Sequence, residues 1–295
     1  MFKIIINCRV IRIQFFILIL ITSLPIILRA QGHWDPSQLP SYLHDRGTGS
    51  PTSMFGTYAR QNEWLIYPFY EYYHNNDEEY KPAELGYVLN KDFRGKFRGH
   101  EGLIFIGYGI TDRLVFELEA AVMSATQYKS ADDNSAMPDK ISESGLGDVQ
   151  TQFDYYWLKE SSSRPGFFSY LEIVYPFNKD KKLIGTSDYE FKAGTGIIRG
   201  FAFGTMTFRL AGEYSKEENK FELGEIALEY LKRLSRHWRI YLGVEGTQDE
   251  WEAITEIQYH VADWMMFKIN NAFGLTSKAS GWAPEIGIMF SLNGE

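Results

Sequence analysis

From Asn62 onward the chain repeats one pattern: apolar and polar positions alternate through segments of strand length, and turn-forming residues separate them. Alternate side chains of a strand point to opposite faces. Twelve segments fit this period: 62–73, 97–109, 113–127, 145–159, 166–177, 188–201, 204–217, 220–233, 237–249, 251–262, 264–277 and 282–292. In WRIYLGVEG, Trp238, Ile240, Leu242 and Val244 share one face, and Arg239, Tyr241, Gly243 and Glu245 share the other. In LVFELEAAV, Leu114, Phe116, Leu118, Ala120 and Val122 oppose Glu117 and Glu119. The first segment, NEWLIYPFYEYYH, alternates poorly and leaves its register open.

The connections between segments add a second period. Long ones, such as 74–96, 128–144 and 178–187, alternate with short ones, such as 110–112 and 202–203. Short turns at one end and longer loops at the other are the pattern of an outer-membrane barrel. On that topology Trp64, Trp157, Trp238 and Trp264 fall at the short-turn ends, and Trp251 and Trp282 at the long-loop ends. Two aromatic levels suit the two water–lipid boundaries. The expected fold is therefore all-β: a membrane-spanning antiparallel up-and-down β-barrel of about twelve strands, apolar face to lipid and charged face to the lumen. A secreted sandwich also alternates, but its strands are shorter, about 5–6 residues, and its apolar face points inward.

The first thirty residues break the pattern. Lys3, Arg9 and Arg12 precede the apolar run FFILILITSLPIIL, and Ala30 offers a cleavage point. Residues 1–30 are expected to be a cleaved secretory signal peptide. The single cysteine, Cys8, lies within it, so the exported chain has no thiol. Loss of Lys3, Arg9, Arg12 and Arg29, with no acid, moves the net charge from −8 to −12. That balance argues against a nucleic-acid partner. Residues 31–61 are rich in Pro, Gly and Ser and lack periodicity. They are either a flexible periplasmic segment or an insert that enters the lumen, and residues 62–295 form the barrel.

The inward face holds the candidate chemistry. Glu117, Glu119, Asp148, Asp154, Arg209, Arg239 and Lys268 are expected to line a solute path. Charges in so confined a space need partners, so the bases should bridge carboxylates across strands. An excess of carboxylates favours cations. Twelve strands lie between the side-chain-filled barrel of about eight and the open channel of 16–18, which implies a narrow or plugged pore. In KDFRGKFRGH, Arg94, Lys96, Arg98 and His100 share one face near the outer mouth. This face is either a solvated rim or a site for lipopolysaccharide phosphates or anionic solutes.

The six histidines show no paired ligand spacing, so no metal site and no cofactor are expected. Ser144, His100 and Asp133 could meet at the rim as a hydrolase would require, but no motif selects them. The chain is not expected to be an enzyme.

The segments YGITDRLVFELEAAV and SGLGDVQTQFDYYW resemble the outer-membrane transporter barrels grouped with the MetA pathway of phenol degradation. Gly109, Thr111, Asp112, Arg113 and Leu114 match one turn motif of that family, and Ser144, Gly145, Gly147 and Asp148 match another. Asp154-Tyr155 departs from the usual basic residue and tyrosine, and the ending FSLNGE from a terminal aromatic. The resemblance implies passive transport of small solutes, with aromatic or apolar ones as candidates, across a Gram-negative-type outer membrane. The alternative is a closed structural or surface-interaction barrel. Expected partners are outer-membrane lipids and lipopolysaccharide, the barrel-insertion machinery, and small-molecule solutes.

Overall fold

The structure, a computed structural model, describes residues 38–216 and 219–293. The expected signal peptide lies outside the described residues. A 3-10 turn, Ser41–Leu43, precedes a small hairpin in which β1 (Ser50–Pro51) pairs with β2 (Tyr58–Ala59). The barrel strands follow in chain order: β3 (Glu63–Tyr80), β4 (Phe93–Gly109), β5 (Leu114–Tyr128), β6 (Lys140–Leu158), β7 (Gly166–Tyr175) and β8 (Glu190–Phe201). The second half comprises β9 (Gly204–Ser215), β10 (Lys220–Arg233), β11 (Trp238–Gly246), β12 (Trp251–Ala262), β13 (Met265–Gly274) and β14 (Ala283–Asn293). Each pairs antiparallel with its sequence neighbours, and β14 closes onto β3, giving the expected twelve-stranded barrel.

The two faces have inverted polarity. Leu171, Ile197, Phe208, Leu228, Ile257 and Ile269 are all more than 40% exposed on the outside. Glu117, Asp154, Glu256, Gln258 and Lys268 are no more than 2% exposed on the inside. Closure satisfies the barrel backbone, because each of the strands β3–β14 has two partners and the barrel has no edge. Trp64, Trp157 and Trp238 lie at the short-turn ends of their strands, with Trp264 in the adjacent β12–β13 turn; Trp251 and Trp282 lie at the opposite end.

Two features differ from the sequence-based expectation. First, β3 continues to Tyr80, β4 begins at Phe93, and β6 begins at Lys140, so much of the expected 74–96 and 128–144 loops is strand. Strands β3–β6 form a tall wall, with 15 to 19 residues each, whereas β7–β14 have 9 to 14. The upper reach of β3 is polar at successive positions from His74 to Glu79, and that of β4 sets Phe and Gly against cations, so neither shows the apolar run that marks a lipid-facing strand. Second, part of the inward surface is apolar. Leu65, Tyr67, Phe105, Val115, Met266 and Met289 cluster with Ala59 of the hairpin.

Candidate functional site

The segment 41–61 touches inward side chains from most of the barrel's circumference. Its hairpin turn is short, with the Thr57 amide donating to the Met54 carbonyl at 3.0 Å. Gly56 takes φ +63°, and a Cβ there would come within 3.0 Å of the Leu231 and Gln258 side chains. The Ser53 amide donates to Glu117 on β5 at 3.1 Å. The Ser53 hydroxyl also donates to Glu117, and Glu119 lies 3.2 Å from it. The Phe55 carbonyl accepts from Lys268 on β13 at 3.3 Å, with Gln258 of β12 at 3.5 Å. The Phe55 ring stacks on Tyr241 of β11, 5.1 Å between centroids, and lies under the Arg209 guanidinium of β9.

A second latch lies nearer the short-turn end. Arg46 donates to Glu160, in the β6–β7 connection, at 2.7 Å, and both side chains are at most 1% exposed. Glu160 also accepts from the Gly200 amide at 2.9 Å. Burial pushes the Glu160 carboxyl up from its ordinary value, while the Gly200 amide and Arg46 pull it down. Asp45 accepts from the Arg233 amide and pairs with Lys232. Two barrel glycines make room for the segment. A Cβ on Gly109 would lie 1.8 Å from the Arg60 carbonyl oxygen, and one on Gly200 would lie 1.9 Å from that of Tyr42.

The predicted lumen residues sort into different roles. Arg209 gathers Glu225, Glu229 and Glu245 at 3.1, 2.8 and 3.3 Å. Lys268 pairs with Glu256 at 3.2 Å and sits over the Tyr67 ring. Asp154, 2% exposed, accepts from Gln152 through Oδ1, and its Oδ2 receives no hydrogen bond among the described residues. Arg239 departs from the expected cross-strand bridging. It is 5% exposed, reaches Met266 Sδ at 3.4 Å, and makes no carboxylate pair among the described residues. Asp148 flanks the Ala120/Val122 register shift and accepts from the amides of Phe177 and Thr186, so it ties down the β7–β8 loop. In the outer basic row, Arg94 pairs with Asp77 and Glu79, Arg98 donates to the Asn75 carbonyl and Asn76, and His100 meets the Tyr70 hydroxyl. Lys96 extends into the open.

Beyond the hairpin the lumen opens into a chamber of about 660 Å³ with Met54 and Phe55 at its floor. Phe69, Tyr73, Phe97 and Leu103 give it an apolar wall. Glu71, Glu101, Glu245, Glu252 and Glu285 give it an acidic one, against Lys192 and Lys278. Glu285, Glu71 and Glu101 stand abreast on β14, β3 and β4, and the Tyr73 hydroxyl lies 2.7 and 2.8 Å from Glu71 and Glu101. These three acids are absent from the residues selected by sequence. Their signal was the odd-numbered register of β3 and β14, which aromatic and apolar residues on both faces conceal.

The fold and its interior define a class: a closed antiparallel barrel with an apolar outside, a charged inside and an N-terminal hairpin in the lumen. An outer membrane channel from Pseudomonas putida F1 is similar in structure, with a TM-score of 0.57 at 10% identity, covering 78% of this chain and 96% of that one. The Ralstonia pickettii toluene transporter TbuX aligns with a TM-score of 0.41 at 6% identity, covering 80% and 90%. The translocator domain of the autotransporter NalP from Neisseria meningitidis aligns with 0.42 at 8% identity, covering 78% and 88%. The likeness to the Pseudomonas putida channel, at 10% identity, is one of fold alone. No family model and no curated protein sequence matches the chain.

Proposed function

We propose that this protein is an outer-membrane channel for small solutes, entered from the long-loop side and narrowed by its own N-terminal hairpin. Carboxylates abreast on neighbouring strands repel one another and weaken a sheet. Their retention at Glu285, Glu71 and Glu101 around an open chamber is the observation that carries the reading. Such a wall favours cations and polar neutral solutes over anions, and the Phe69–Phe97 wall accommodates an aromatic or apolar part. The fold shared with an outer membrane channel supports residence in that membrane and a non-enzymatic role. The finer kinship, with transporters of the phenol-degradation type, rests on the two turn motifs. The first has a structural meaning here: Thr111 Oγ1 accepts from the Arg113 and Leu114 amides, and Asp112 pairs with Lys159.

A closed structural barrel is the competing reading, favoured by the hairpin's hold on β5, β9, β11, β12 and β13. Planar-bilayer recording separates the two. The channel reading expects discrete conductance steps with a reversal potential on the cation side, moved toward zero by Glu71→Gln, Glu101→Gln and Glu285→Gln together. Silence from both the full chain and a chain lacking 49–59 would leave the structural barrel.

A further inference from the structure

The outward face of the tall wall carries a patch that the channel reading does not use. Strand register aligns its side chains in rungs across β4, β5 and β6. The top rung is Lys96, Tyr128 and Lys140, and the Lys140 ammonium lies over the Tyr128 ring, 5.7 Å from its centroid. The next is Arg98, Thr126 and Ser142, with the two hydroxyls 3.0 Å apart. The third is His100, Ser124 and Ser144. Of the nine positions, Arg98 and Thr126 are half-buried and the other seven are exposed. Two lysines, one arginine, one imidazole and five hydroxyls stand together without a carboxylate, on a chain whose net charge is −8.

Directly below, the surface changes character. The fourth rung is Gly102, Val122 and Leu146, with Val122 64% and Leu146 47% exposed, and Ile104 follows at 41%. At about 3.4 Å per residue the polar rungs span roughly 14 Å along the strands, and at about 4.8 Å between strands they span roughly 10 Å across. The neighbouring loops leave this face open. The connections 81–92 and 129–139 fold away from it, with Leu85, Tyr87, Leu89 and Met137 packed around Tyr80 and Phe93. Phe93 and the cationic row lie on opposite faces of β4.

We propose that this face binds a phosphorylated glycolipid of the outer leaflet. Lys96, Arg98 and Lys140 would hold its phosphates, the Ser and Thr hydroxyls its sugars, and Val122, Leu146 and Ile104 its first acyl carbons. Charge complementarity selects this occupant: ammonium and guanidinium groups pair with phosphate oxygens, and the adjoining apolar rung requires a ligand with hydrocarbon attached. A free anion would leave that rung unused. The inference rests on the membrane reading of the barrel.

Native mass spectrometry of the detergent-purified chain tests it, with lipid A as the probe beside its dephosphorylated form and inorganic phosphate. The wild-type chain should retain lipid A, lose at least tenfold in occupancy with the dephosphorylated lipid, and ignore inorganic phosphate. K96Q/K140Q should lose about tenfold in lipid A occupancy, whereas K179Q/K181Q in the β7–β8 loop should lose none. Resistance of the folded barrel to unfolding, measured on the same samples, reports any general damage. Equal occupancy for the wild type and K96Q/K140Q, or for the two lipids, overturns the proposal. A chain that stays soluble without detergent would instead defeat the membrane reading itself.

Discussion

The two halves of the lumen solve opposite problems with the same strands. Toward the short-turn end, the hairpin fills the space, and its surroundings resemble a protein core: Tyr67, Phe105, Val115 and Met289 are at most 3% exposed. Two ion pairs there are dry, Arg46–Glu160 and Lys268–Glu256, where no side chain is more than 1% exposed. Toward the long-loop end, carboxylates outnumber bases around a cavity. The lesson is that an inward face follows what it meets, whether a packed segment or water. Substitutions should therefore act on stability in one half and on ion passage in the other.

The largest effects belong to the filled half. Lys268→Met leaves Glu256 buried without its cation and should cost about 3–5 kcal/mol, read by urea unfolding in micelles. Lys268→Met combined with Glu256→Gln should recover much of that loss. Phe55→Ala removes the ring between Tyr241 and Arg209. It should cost about 3 kcal/mol and raise single-channel conductance, because the floor of the chamber loses its bulk. Gly109→Ala is smaller in chemistry but forces Arg60 away from the wall. We expect a loss of about 1–3 kcal/mol, with flickering openings in bilayer records. Glu252→Gln lies at the other extreme. Its stability should change by no more than about 0.5 kcal/mol, while the reversal potential moves toward zero. A stability loss at Glu252 as large as that at Lys268 would erase the contrast.

The same contrast explains what could be foreseen from the sequence. Strands β9, β11 and β12 were legible because Arg209, Arg239, Glu256 and Gln258 interrupt apolar runs at every second position. Strand β14 was harder, since its inward Met289 packs against hairpin residue Thr57 and is as apolar as its outward Ile286. Glu285 was lost in that uniformity. The upper parts of β3 and β4 escaped for the opposite reason. Residues such as His74, Asn76, Arg94 and Lys96 are polar because they stand above the apolar band, so they looked like loop. The basic row was visible at period two, but the hydroxyls and Lys140 beside it come from strands distant in sequence, and only the register joins them. Asp148 was read as a motif residue on the lumen face, yet its loop contacts depend on a bulge that alternation does not announce.

Neighbouring positions on β11 offer the most direct test of the central claim, that the greasy face meets acyl chains and the charged face meets enclosed water. Val244 is 40% exposed on the outside, whereas Glu245 borders the chamber and pairs with Arg209. Nitroxide labels at V244C and E245C, each in a C8S background and reconstituted in lipid, report their collision rates with oxygen and with a water-soluble nickel complex. The account predicts that the label at 244 relaxes mainly with oxygen and the label at 245 mainly with nickel. The reverse assignment, or nickel access at both positions, would contradict it.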